Sequence, residues 1–82
     1  MNKIIVYANP IAPFQKVLTV KDGKLVDQVG VLPNYLTEII FGTAQKYNIQ
    51  DIDFTGVKDF ALGFIKDMKT EYSTLNINFV EE

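Results

Sequence analysis

The tetrapeptide Lys21-Asp22-Gly23-Lys24 constrains this chain more than any other feature. Asp-Gly can adopt the two positive φ angles of a type I′ turn, the two-residue connection whose twist matches the strands it joins. Its flanks suit that role, because Phe14 to Val20 and Leu25 to Val31 are rich in β-branched and other apolar residues. The pattern therefore predicts an antiparallel hairpin, and the other elements must be arranged around it.

Before the hairpin, Lys3 to Tyr7 reads KIIVY and is ended by Asn9-Pro10 and Pro13, which predicts a buried strand entering a loop. After it, Pro33 suits a first helical turn. Leu32, Leu36, Ile39, Ile40, Thr43, Ala44 and Tyr47 then recur at three- and four-residue spacing, which predicts an amphipathic helix from Pro33 to Tyr47. Ile49 to Phe54 alternates, with Ile52 and Phe54 facing one way and Asp51 and Asp53 the other, until Thr55-Gly56 breaks the strand. From Val57 to Tyr72 the period is helical again: Val57, Phe60, Ala61, Phe64, Ile65, Met68 and Tyr72 form one face. Lys58, Asp59, Lys66, Asp67 and Lys69 form the other, and Asn76 to Val80 reads as a last strand.

The resulting order is β-β-β-α-β-α-β in a single domain over residues 1–82. Alternating strands and helices imply parallel pairing through right-handed crossovers, and the hairpin adds one antiparallel strand. The expected fold class is α/β: a mixed five-stranded sheet with both helices packed on it. The runner-up, a ferredoxin-like α+β sheet of order β-α-β-β-α-β, requires strand one or the hairpin not to form.

Composition narrows the chemistry. With no Cys, His, Trp or Arg, the chain has no disulfide, no Cys/His zinc site, no Ser-His or Cys-His dyad and no guanidinium fork for phosphate. A chain of 82 residues, 48% of them apolar, has a core of its own, and six Phe and four Tyr supply its bulk. Eight Lys against ten acidic residues give a net charge of −2, whereas binding duplex nucleic acid by counterion release favours a basic surface. No apolar run approaches the roughly 20 residues that span a bilayer, and Met1-Asn2-Lys3 leads directly into a strand pattern. The expected location is therefore cytoplasmic, with no membrane partner.

Three strands including a hairpin, followed by α-β-α-β, is also the core order of the ribonuclease H-like superfamily, which the chain resembles over nearly its whole length. Four pieces carry a narrower resemblance: Asp22-Gly23-Lys24-Leu25, Leu32-Pro33, Asp51-Ile52-Asp53 and Phe54-Thr55-Gly56-Val57-Lys58. In order and spacing they are similar to the N-terminal half-domain of the actin/Hsp70-like partner proteins of bacterial tRNA threonylcarbamoyl-adenosine synthesis. Ala8-Asn9-Pro10 also resembles the turn after the first strand in Holliday-junction-resolvase-type nucleases, which carry Asp-Pro there. The resemblance implies a ribonuclease H-like sheet and an association face on the two helices. It departs at the chemistry, because the nucleases need carboxylates on strand one and at the end of strand four to hold a divalent metal. Here those places hold Tyr7, Ala8 and Asn9, and Phe54-Thr55. The actin-like nucleotide site lies between two half-domains, of which a chain of 82 residues holds one at most. The expectation is a chain that is not an enzyme and has no catalytic, cofactor or metal residues.

Several polar residues have an ordinary structural reading. Asp51 and Asp53 could act as paired carboxylates, but they read as the solvated face of a strand. Lys58 and Asp59 beside Gly56 could receive an anion, but Thr55 as an N-cap with Asp59 in the first turn accounts for them. Asn76 and Asn78 read as the outward side of an edge strand. More informative are Phe41 and Leu62, which fall off the apolar stripes of their helices at matching positions, with Tyr35 nearby and Gly42 and Gly63 permitting close approach. Tyr35, Phe41 and Leu62 are accordingly the candidate interface of a non-catalytic association module, a homodimer or the binder of another protein. The alternative is a nucleic-acid-binding remnant of a resolvase-type nuclease.

Overall fold

In the computed structural model, which describes residues 1–82, the strands are β1 (Lys3–Ala8), β2 (Gln15–Lys21), β3 (Lys24–Val31), β4 (Asp51–Gly56) and β5 (Asn76–Phe79). The helices are α1 (Leu36–Tyr47) and α2 (Lys58–Glu71). Asp22 and Gly23 take φ of 54° and 76°, so the hairpin turns through two positive φ angles as its sequence requires. Its tip is tied to the start of the chain: the Asp22 N–H donates to Asn2 Oδ1 at 2.7 Å and the Gly23 N–H to the Met1 carbonyl at 3.1 Å.

The sheet runs β3-β2-β1-β4-β5. β2 pairs antiparallel with both β1 and β3, whereas β1–β4 and β4–β5 are parallel, so β2 alone opposes the other four strands. Strand one and the hairpin both form, which removes the condition that the ferredoxin-like order needs.

Register sorts the side chains into two faces. On one, Ile4, Val6 and Ala8 align with Ile52, Phe54 and Gly56 of β4 and with Thr19, Val17 and Gln15 of β2. Leu36, Ile40 and Ala44 of α1, and Ala61, Ile65 and Met68 of α2, share the core of fifteen buried apolar residues with that face. The other face carries no helix. Across it run Asn78, Asp53, Ile5, Leu18 and Gln28 in one row, and Thr55, Tyr7, Lys16 and Gly30 in the next. Ile5, Leu18 and Val20 are half-buried there.

Three boundaries differ from expectation, each for a local reason. Pro33 opens a short 3-10 turn, Pro33–Tyr35, and α1 starts at Leu36, because Tyr35 at φ −108° and ψ 3° sits between the two geometries. Asn48 ends α1 in the left-handed region, and the Ile49 N–H returns to the Ala44 carbonyl at 2.9 Å, so β4 starts at Asp51 instead of Ile49. Thr55 is not the cap of α2. β4 continues through Gly56, the Val57 N–H stays on the Ala8 carbonyl at 2.9 Å, and Val57 occupies the N-cap position with no side-chain hydrogen bond. Gly56 makes this strand-to-helix corner at φ 101°, and a Cβ there would collide with the Ala8 backbone, so only glycine fits. No helix is long and apolar enough to cross a membrane.

Candidate functional site

Three exposed apolar residues lie at the entry to α1 and in its first turn. Leu32, in extended geometry before the 3-10 turn, Tyr35 at the end of that turn and Ile39 in the first turn of α1 are 48%, 54% and 39% exposed. Gly42 follows in the helix, and a Cβ added there would meet nothing within 4 Å. Periodicity had assigned Ile39 to the core stripe. Its exposure shows that α1 buries a narrower face, centred on Leu36, Ile40 and Ala44.

The three predicted interface residues fall in different settings. Tyr35 is exposed at the N-cap position of α1. Leu62 is 42% exposed on α2 among charged residues, with Asp59 and Lys66 one turn away on either side. Phe41 is half-buried, because its ring stacks on Tyr72 at 4.3 Å between centroids and 14° between planes. That stack joins α1 to the end of α2, so the position that looks free on one helix is filled from the other. The Tyr72 hydroxyl is pushed above its ordinary value of 10.0 by burial, and further by the Glu71 and Glu38 carboxylates.

The candidate polar residues have partners of their own. Asp53 pairs with Lys3 Nζ at 2.9 Å, while Asp51 accepts from Asn76 Nδ2 at 3.1 Å. The two carboxylates are held apart by separate neighbours instead of converging on one cation. Lys58 Nζ lies 5.9 Å from the centre of the Phe79 ring, where a cation is attracted by the π face. Asn76 and Asn78 are both exposed on β5, as their alternation indicates. Nowhere do three or more His, Cys, Asp or Glu residues cluster so as to hold a metal ion.

A second feature lies where β1 and β4 end. Tyr7, Asn9, Phe14, Lys16, Gly56, Val57 and their neighbours line an open cleft there. The loop on its rim is held by Gln15, which is fully buried: Oε1 accepts the Asn9 N–H at 2.6 Å, and Nε2 donates to the Asn9 carbonyl at 2.9 Å. Asn9 Oδ1 in turn accepts the Ile11 N–H at 3.0 Å. Asn9 is thus used to shape the loop. Sequence reasoning passed over Gln15, although the alternation of Gln15, Val17 and Thr19 places a polar amide on the inward side of a strand.

No protein-family model, curated protein or solved structure matches this chain.

Proposed function

We propose that the protein is a non-catalytic association module that pairs with a second copy of itself, built on a ribonuclease H-like scaffold. The element order, the mixed sheet and the single antiparallel strand support the scaffold. One observation carries the function: Leu32, Tyr35 and Ile39 are exposed apolar residues running from the entry of α1 into its first turn, followed by Gly42, which has no side chain to keep a neighbour away. Covering such residues contributes about 25 cal/mol per Å² of apolar surface removed from water. A surface of this kind is self-complementary, since two α1 helices related by a two-fold axis cross where Gly42 lets their backbones approach.

Light scattering at several concentrations tests the reading. The wild-type chain should approach twice its monomer mass as concentration rises. Tyr35→Lys and Ile39→Lys should each return it to the monomer while leaving the circular dichroism spectrum unchanged. Leu62→Lys measures whether the contact reaches α2. Phe41→Lys is a poor probe, because it breaks the stack on Tyr72 and so acts on stability. A wild-type chain that stays monomeric throughout, or a dimer indifferent to both α1 substitutions, would overturn the proposal.

A further inference from the structure

The cleft at the ends of β1 and β4 has a volume of about 460 Å³, within the range of small-molecule sites. It lies beyond the carboxyl ends of adjacent parallel strands, where open α/β sheets receive ligands. Register defines its floor on the helix-free face: Tyr7 stands opposite Lys16, and Lys16 opposite Gly30. Phe14 packs over Gly30, whose missing Cβ would lie 3.3 Å from the Phe14 Cβ. Two aromatic rings therefore flank one lysine. Both rings are open to ligand, at 39% exposure for Tyr7 and 54% for Phe14.

Two further observations distinguish this cleft from ordinary surface. Lys16 has no carboxylate partner, since the chain's one ion pair joins Lys3 to Asp53. The wall that carries Phe14 is fixed in advance by the buried Gln15 amide, so little ordering entropy is lost on binding. Glu82 also lines the cleft, and because its carboxylate opposes an anion there, the anionic group must sit on Lys16.

The geometry points to a binding site for a small planar aromatic anion, its ring stacked against Tyr7 and Phe14 and its anionic group at Lys16. The ring matches the two exposed aromatic faces, which favour offset or edge-on aromatic partners over aliphatic ones. The charge matches a lysine, a point cation that suits either a carboxylate or a phosphate. A free aromatic acid and a nucleoside monophosphate share this chemistry, and direct comparison separates them.

The experiment is an amide chemical-shift titration of the whole chain with 4-hydroxyphenylacetate, its neutral amide, cyclohexylacetate and uridine monophosphate. Saturable shifts are expected at Tyr7, Asn9, Phe14, Lys16, Gly56 and Val57 with 4-hydroxyphenylacetate or uridine monophosphate, and the tighter of the two names the source. The neutral amide and cyclohexylacetate should each bind about tenfold more weakly, the scale of one charge-assisted contact or one aromatic stack. Lys16→Met should abolish the preference for acid over amide, whereas Phe14→Leu should weaken acid and amide alike. Shifts that never saturate with any probe, shifts centred outside the cleft, or equal affinity for acid and amide in the wild-type chain would overturn the assignment. The wild-type comparison stands alone, so it decides the matter even where a variant is unstable.

Discussion

At the scale of single residues, Thr55 and Gly56 show how one corner redistributes roles. Because Gly56 turns the chain at φ 101°, the strand runs one residue past Thr55 and the cap position falls on Val57. Thr55 is left buried, with its Oγ1 the one buried side-chain polar atom that has no hydrogen-bond partner. An unpaired hydroxyl has lost its water without gaining a bond, so replacing it by a methyl group removes a cost. Thr55→Val should therefore leave stability unchanged or raise it by about 1 kcal/mol, read as the urea midpoint of unfolding. Were Thr55 capping α2, the same change would lower stability by about 1 kcal/mol, so the sign of the shift separates the two roles.

At the scale of elements, Gln15 links the start of β2 to the loop before it. Its amide satisfies both the N–H and the carbonyl of Asn9 from a fully buried position. Gln15→Leu keeps most of the volume but removes both hydrogen bonds to the exposed Asn9 backbone, at about 0.5–1.5 kcal/mol each. The expected outcome is a lower urea midpoint together with faster hydrogen exchange at the Asn9 amide. Unchanged exchange there would show that the loop holds its shape without the glutamine. The hairpin, both helices and all five strands were legible in the sequence, because each rests on local signals: an Asp-Gly turn, a period of two, a period of 3.6. The cleft was not legible, since Tyr7, Phe14, Lys16 and Gly56 come from three strands and a loop that only the sheet register brings together. The cover over Phe41 was not legible for the same reason. A helical wheel describes one helix, and the residue that covers Phe41 is Tyr72, at the end of the other.

At the scale of the whole molecule, the sheet separates two candidate surfaces. The exposed residues Leu32, Tyr35 and Ile39 lie outside the helix layer, whereas the Tyr7–Lys16 row faces away from both helices. Between them stand the buried rows of Ile4, Val6, Val17, Ile52 and Phe54. A ligand shifts an association equilibrium only by as much as it binds one state better than the other. Here the ligand would touch none of Leu32, Tyr35 and Ile39. The self-association constant, measured by sedimentation equilibrium, should therefore be the same with and without saturating 4-hydroxyphenylacetate. A change greater than about threefold, some 0.6 kcal/mol of coupling, would contradict this separation. It would relocate the association surface to the helix-free face, where Ile5, Leu18 and Val20 are half-buried beside Tyr7 and a bound ring would lie at the edge of the partner.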